Sequence, residues 1–387
     1  MSIYLDHAAT TPMAEVAREA MALQSRKLGN PSSLHSDGRA VRKDIEDARE
    51  SLAHAIGCQP NEIIFTGSGT EANNSAIKGF LWKGKPKGKE LLAISAIEHH
   101  AILDPAHWLQ EYEGVEIHAL PVGRQGVLEL APLRELISQR GDEIALISIM
   151  HSNNETGALQ PIAEVVALAK AAGIAVHSDA VQSFGKVPLS FSQLGLDAMT
   201  LSAHKVGGPL GIGALVLKHG LEIPALLHGG GQERDIRSGT LNAPAIVGFA
   251  AAAKKSMEAM ATSSAALRAL REEFIGGVLG AIPDAFLNGV QVGEALPGIV
   301  NITFPGTESD TLLLLLDGQG ISCSTGSACS AGVQRPSHVL LAMGHADKSA
   351  RSTLRFSMGS TTTRDEIERV IAILPGIIDS ARKANLR

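Results

Sequence analysis

The feature that most limits what this chain can fold into is an alternation of short apolar runs with Ala-rich amphipathic stretches. Strands are expected at Glu62–Thr66, Glu90–Ser95, Ile144–Met150, Ile174–His177 and Ala198–Ser202, and helices at Glu71–Leu81, around Leu133–Gln139 and at Pro161–Ala171. Strand alternating with helix predicts βαβ units and therefore a mostly parallel sheet, the α/β class. Strands of such a sheet are buried on both faces. With aromatics at only 3%, the core must be filled mainly by Ala, Val, Ile and Leu. Ligands of parallel sheets sit beyond the carboxyl ends of the strands, which is where the polar clusters of this sequence fall.

At about 150 residues per domain, 387 residues suggest two or three units. The pattern changes near Ala245. An Ala-rich helix is expected to run through Ala261, Thr262-Ser263-Ser264 to interrupt it, and a new helix to span Ala265 to Leu279. Strand-like pieces, Gly298–Thr303 and Thr353–Ser357, then surround a Gly/Ser-rich segment. The expected division is a large domain over 15–260 and a smaller α+β domain made of 1–14 and 261–387.

A formal net charge of −6 argues against nucleic acid as the main partner, because phosphate binding needs a basic footprint. It argues equally against anionic membrane surfaces. The longest Leu run, Leu312 to Leu316, falls far short of the ~20 residues that span a bilayer. The start, Met1 to Asp6, reads as a strand and not as a signal peptide. Three cysteines make no disulfide framework. A cytoplasmic protein is expected.

Chemistry first gathers around Ser202-Ala203-His204-Lys205-Val206-Gly207-Gly208-Pro209, which puts a lysine on a loop directly after an apolar strand. A lone lysine there would read as a surface residue. Upstream, Asp179 closes another strand, 26 residues away, about one βαβ step. A pyridoxal cofactor needs that pair: an amine for covalent attachment, and an acid to keep the pyridine nitrogen protonated. Its phosphate needs an anion site. Phe65-Thr66-Gly67-Ser68-Gly69-Thr70-Glu71 is a strand, a Gly-rich turn and a helix start, whose backbone N–H groups and hydroxyls can supply one. The turn is neither a Walker loop nor a Gly-x-Gly-x-x-Gly fingerprint.

Taken in order, Tyr4–Pro12, Gly29–Ser33, Gly67–Asn74, Glu98-His99-His100, Asn153–Gly157, Asp179–Gln182, the Lys205 segment, Arg237–Thr240 and Gly326–Cys329 resemble the cysteine desulfurases. These form the NifS/IscS-like branch of the class V aminotransferase family, with the pyridoxal-phosphate (PLP) fold type I. The resemblance covers nearly the whole chain. It implies that Lys205 carries pyridoxal 5'-phosphate, that Asp179 pairs with the pyridine nitrogen, that Gln182 bonds the ring hydroxyl and that His99 stacks on the ring. Gly69, Thr70, Ser202 and His204 would hold the phosphate, joined by Thr240 from the partner subunit of a homodimer. Asn154 and Arg355 would receive the substrate carboxylate, a role suited to the planar Arg fork. Taken singly, His99 could be a strand-end histidine, Asn153 and Asn154 turn formers and Arg355 half of a structural ion pair. His7 and His177 read as structural.

Of the cysteines, Cys58 follows a helix and reads as a packing residue, and Cys323 is expected to be buried. A Cys323/Cys329 metal pair lacks companion ligands, and no metal is expected. Cys329 lies in Ser324–Gly332, a stretch of small residues only, which predicts a mobile loop. In the desulfurases such a thiol visits the cofactor site and leaves with sulfur. The implied reaction takes sulfur from L-cysteine, leaves L-alanine and forms a persulfide on Cys329, with Lys205 moving the Cα proton. The thiolate is the reactive form; no basic residue adjoins Cys329 in sequence, so its activation is expected from the site it enters, with His99 as the candidate.

An acceptor protein, such as an iron–sulfur scaffold or a tRNA-thiolation protein, would take the sulfur. The chain departs from the best-known iron–sulfur members in ending at Arg387, without the longer tail that docks the cluster scaffold in some relatives; this leaves partnership with a scaffold open and leaves the chemistry untouched. A class V aminotransferase would need Lys205, Asp179 and the carboxylate clamp but no loop cysteine. A selenocysteine lyase would use the same lysine chemistry on selenium. A non-catalytic sulfur relay is disfavoured by the full cofactor set.

Overall fold

The structure is a computed structural model that describes residues 2–290, 295–325 and 335–385. Twelve strands are named in chain order: β1 Ile3–Tyr4, β2 Ile63–Thr66, β3 Leu91–Ser95, β4 Glu116–Leu120, β5 Ile144–Ser148, β6 Ala175–Asp179, β7 Ala198–Ser202, β8 Gly213–Leu217, β9 Phe286–Asn288, β10 Ile299–Thr303, β11 Ile321–Ser322 and β12 Thr353–Ser357.

Apolar side chains on both faces of β2, β3, β5, β7 and β8 force these strands into the interior, and every residue of the five is buried. They form a seven-stranded sheet with β6 and β4, in the order β2-β8-β7-β6-β5-β3-β4. Only β8 runs against its neighbours; the other pairings are parallel. Alternate residues serve opposite layers, as the pleat requires. Ile63 and Phe65 pack into the core under Ser36–Ile56 and the first half of Ala243–Ala281. Ile64 packs with Ile77 and Phe80 of Gly69–Gly84 on the other face. A register shift between β3 and β5 sends Ala145 and Leu146 to that second face while Ile144 and Ile147 keep the first. One extra residue in a strand has this effect.

Two of these strands were not among the expected ones. The edge strand β4 is largely exposed and mixes Glu116, His118 and Ala119, so it has no apolar run. β8 follows the Gly207–Gly211 loop and opens on a glycine, which hides its start. The remaining differences are shifts at strand and helix ends, where fraying makes boundaries soft.

A second core gathers β1, β10, β12 and the helices Ser309–Asp317 and Arg364–Asn385. Here β12-β10-β9 is an antiparallel sheet, and β1 pairs in parallel with β11. The expected break at Thr262–Ser264 is absent. Ala243–Ala281 is one helix of 39 residues, about 58 Å long at 1.5 Å per residue. The hydroxyls that suggested a new N-cap bond elsewhere. Thr262 donates back to the Ala259 carbonyl (2.9 Å) and Ser264 to the carbonyl of Lys186 (2.6 Å). The helix therefore serves both cores, with Phe249 in the first and Phe274 in the second.

Candidate active site

Because β2, β3, β5, β6 and β7 point the same way, their carboxyl ends meet along one edge of the sheet. Gly67–Gly69, His99, Met150, Ser152, Asn154, Asp179, Val181, Gln182, Ser202, His204 and Lys205 fall at or just beyond those strand ends and line one cavity of about 480 Å3. Arg355 reaches it from β12, where Leu354 and Phe356 turn into the second core and the residue between them faces the other way. Of the site residues expected from sequence, Gly69, Thr70, His99, Asn154, Asp179, Gln182, Ser202, His204, Lys205 and Arg355 all line this cavity. Thr240 is exposed and is not among its lining residues. Cys329 lies outside the described residues, but Ser324 before it and His338 after it both line the cavity.

The Lys205 amine donates to the carbonyls of Ala8 (2.6 Å) and Ala9 (2.7 Å). Burial, followed by the nearby Arg355 cation, lowers its pKa to about 8. Asp179 accepts from the Val181 N–H (2.9 Å) and from Asn73 Nδ2 (2.6 Å). Asn73 is buried, lines the same cavity and keeps its Oδ1 without a partner.

The helix Gly69–Gly84 begins at the cavity wall. Ser68 caps it by accepting from the Glu71 N–H (3.0 Å). The first N–H groups of an α-helix have no partner inside it, and Gly69 and Thr70, which carry two of them, face the cavity. Glycine leaves room at position 69: a Cβ there would stand 3.1 Å from Val181 Cγ2 and 3.3 Å from Ser202 Cβ, so those side chains would have to give by a few tenths of an ångström.

His99 is the N-cap of His100–Glu113, with Nδ1 accepting from the Ala101 N–H (3.0 Å). The neutral ring therefore carries its proton on Nε2, and burial lowers the ring's pKa. Arg355 is indeed an ion-pair residue, bound to Asp6 Oδ1 at 2.9 Å, and it also donates to the Asn154 carbonyl (2.9 Å). Its Nε is buried without a partner, so the ion pair leaves donor capacity in the cavity wall.

His7 and His177 are buried. His177 spans Ser148 Oγ and Thr200 Oγ1, and His7 bonds Thr11 Oγ1. Cys58 and Cys323 are partly buried, and burial lifts both thiols to about 12. Sequence reasoning assigned no role to Asn73, to the Ala8 and Ala9 carbonyls, to Asp6 as the Arg355 partner, or to the edge-to-face rings of His100 and His338. Asp6, Ala8, Ala9, Asn73 and His100 sit inside the motifs quoted above, which was the available signal.

Glu98, directly before His99, is fully buried. Its Oε1 accepts from Ser95 Oγ (2.6 Å) and the Met150 N–H (2.8 Å), and its Oε2 has no partner. Burial raises its pKa to about 8. A carboxyl whose pKa is higher folded than unfolded stabilises the fold fully below pH ~4.5, and that contribution fades as the pH rises through 8. Wild type is therefore expected to lose stability relative to Glu98→Gln, by a few kcal/mol, between pH 5 and pH 9. Denaturant midpoints of the two proteins across that range test it; parallel pH curves would refute it.

An amine and a carboxylate sharing one cavity, beside a helix start at the carboxyl edge of a mostly parallel sheet, define the class. The fold is that of the type I pyridoxal-phosphate-dependent transferases. Residues 3–370 match the model of the aminotransferase class-V family, and the chain belongs to it. It is 47% identical over 385 residues to an IscS-like cysteine desulfurase of Mycobacterium tuberculosis, covering 99% of this chain and 98% of the relative. It is 39% identical to the cysteine desulfurase NifS of Azotobacter vinelandii, covering 99% and 94%. Among solved structures, a NifS-like protein superposes with a TM-score of 0.91 at 34% identity, covering 98% of this chain and all of that one. A NifS-like protein from Rickettsia africae gives 0.87 at 35%, with the same coverage.

Proposed function

We propose that this chain is a cysteine desulfurase that binds pyridoxal 5'-phosphate, takes sulfur from L-cysteine to leave L-alanine, and holds that sulfur as a persulfide on Cys329. The observation that carries the reading is the single cavity shared by Lys205, Asp179, the Gly69 helix start and Arg355. The residues present fit the cofactor. A buried amine stands in reach of the cavity, a carboxylate held by Asn73 can face a protonated ring nitrogen, and a helix N-terminus can take a phosphate. His99 would cover the ring and Gln182 its hydroxyl, with Ser202 and His204 beside the phosphate. The orphaned Asn73 Oδ1 and Arg355 Nε are polar atoms that a bound polar molecule could satisfy.

When bound, the cofactor supplies an electron sink for negative charge at the substrate Cα. The chain's own groups do the rest. Arg355, steadied by Asp6, and Asn154 orient the substrate carboxylate. Lys205, with a pKa near 8, can accept and return a proton near neutral pH. Sulfur passes from the substrate Cβ to Cys329 Sγ, the C–S electron pair staying with the carbon that is protonated to the alanine methyl. Cys329 is five residues beyond the cavity residue Ser324 in sequence.

The reading includes a homodimer whose partner copy supplies Thr240, an acceptor protein for the sulfur, and a cytoplasmic setting; no helix among the described residues is long and apolar enough to cross a membrane. It also includes a large cofactor domain over 15–260 and a small domain of 1–14 and 261–387 with the cysteine segment, which the two cores support.

The test is reduction with borohydride in the presence of the cofactor, followed by peptide mapping and by turnover of L-cysteine. Label on Lys205, alanine release and a persulfide on Cys329 are expected. Cys329→Ala should keep the visible cofactor band and form no persulfide. If that variant turned over as fast as wild type, an aminotransferase would be the better reading. If turnover of selenocysteine, but not of cysteine, survived in Cys329→Ala, a lyase acting on selenium would be.

A further inference from the structure

Lys186 lies outside the cavity just described and reaches it through one neighbour. Its amine donates to Gln182 Oε1 (3.0 Å), and Gln182 Nε2 donates to the Ala8 carbonyl (2.8 Å), which also accepts from Lys205 Nζ (2.6 Å). Four groups thus form one hydrogen-bonded chain from Lys186 to the reactive amine. Gln182 is buried, while Lys186 lines a second cavity of about 390 Å3 that meets the first at Ala8 and Lys205.

The chemistry of the chain follows from its ends. A glutamine amide can offer either a donor or an acceptor. A lysine ammonium can only donate, so in its protonated form Lys186 claims Oε1 (3.0 Å) and turns the N–H face of the amide the other way, where one hydrogen meets Ala8 (2.8 Å) and the second remains for the cavity. An ionised ring hydroxyl accepts hydrogen bonds, so it is served by that N–H face and repelled by Oε1. The lysine also brings positive charge. The groups bearing on it are the cations Lys205 and Arg355, and its burial lowers its pKa to about 7; His7 and His204 are the neighbours whose own protonation it opposes.

We propose that Lys186 is a positioning residue that orients Gln182 as a hydrogen-bond donor toward the hydroxyl of the cofactor bound at Lys205. The proposal rests on the pyridoxal-phosphate reading above. A donor at that oxygen favours the form in which the neighbouring nitrogen has lost its proton, so it lowers the pH at which the visible band of the bound cofactor titrates.

Lys186→Met keeps the length of the side chain and removes the donor. With cofactor loaded, its absorbance midpoint is expected to rise by about one pH unit, and Lys186→Arg, again a pure donor, to restore it toward wild type. Gln182→Leu should raise the midpoint similarly, and adding Lys186→Met to it should shift it little further, since the two act through one contact. Borohydride mapping of wild type separates the two layers. If wild type carries no cofactor on Lys205, the underlying reading fails. If it does, and Lys186→Met titrates at the wild-type midpoint or Lys186→Arg fails to restore a shifted one, the inference about Lys186 fails alone.

Discussion

Lys205→Ala is expected to lower the rate of alanine release from L-cysteine by at least about 10^2 to 10^4-fold, the range ascribed to one positioned acid–base group. The loss of covalent cofactor attachment adds to this. The variant should fold. Lys205 donates to two carbonyls, those of Ala8 and Ala9, and its burial works against its charge, so removing the amine relieves a cost as well as deleting two bonds. Cofactor bound by Asp179 and the Gly69 helix start should still associate, but borohydride should no longer fix it to the protein. The measurement is single-turnover alanine formation with cofactor in excess, alongside a thermal melt. A rate within tenfold of wild type would remove Lys205 from the chemistry, whatever the cofactor's affinity.

The strands that hold this site were legible because burial on both faces leaves an uninterrupted apolar run. Ala198–Ser202 and Thr353–Ser357 match the expected spans to the residue. Lys205 and Asp179 were legible for a related reason: polar residues that come within a few positions of the end of such a run fall at the carboxyl edge. The exposed strand β4 lacked that pattern.

Thr262–Ser264 misled because hydroxyl residues in a row resemble an N-cap, and what decides the matter is a tertiary partner, the Lys186 carbonyl, 78 residues away in sequence. Partners of this kind were also what the site reading lacked. Nothing in local sequence says that Asn73 will hold Asp179 across 106 positions, or that Asp6 will pair with Arg355 across 349. Lys186, next to Gly185, looks like an ordinary loop lysine until the fold puts Gln182 beside it.

The largest stability effect is expected far from the chemistry, at Glu233. Strand β2 is the edge of the seven-stranded sheet, so one side of its backbone has no neighbouring strand. An edge of this kind must be covered or paired. The Glu233 carboxylate accepts from the Phe65 N–H (2.8 Å), while Arg49 donates to the Ile63 carbonyl (2.8 Å). The two side chains bind each other through Nη1 (2.9 Å) and Nη2 (2.7 Å), and the guanidinium lies 4.7 Å above the Phe65 ring. One buried ion pair therefore takes the place of a missing strand and ties β2 to the helix Ser36–Ile56.

Glu233→Ala would leave the buried Arg49 with only the partly exposed Glu46 carboxylate (3.1 Å) as counter-charge, and the Phe65 N–H without its acceptor. A loss of about 3–5 kcal/mol is expected, the usual cost of breaking a buried pair from one side. Pairing Glu233→Leu with Arg49→Met removes both charges, and should recover much of that loss but not the two backbone bonds. Because β2 runs directly into Gly67–Gly69, the single variant should also load cofactor more weakly than the double. Denaturant midpoints of the three proteins measure the first effect, and cofactor titration the second. A Glu233→Ala protein within about 1 kcal/mol of wild type would mean that water, and not this pair, satisfies the sheet edge.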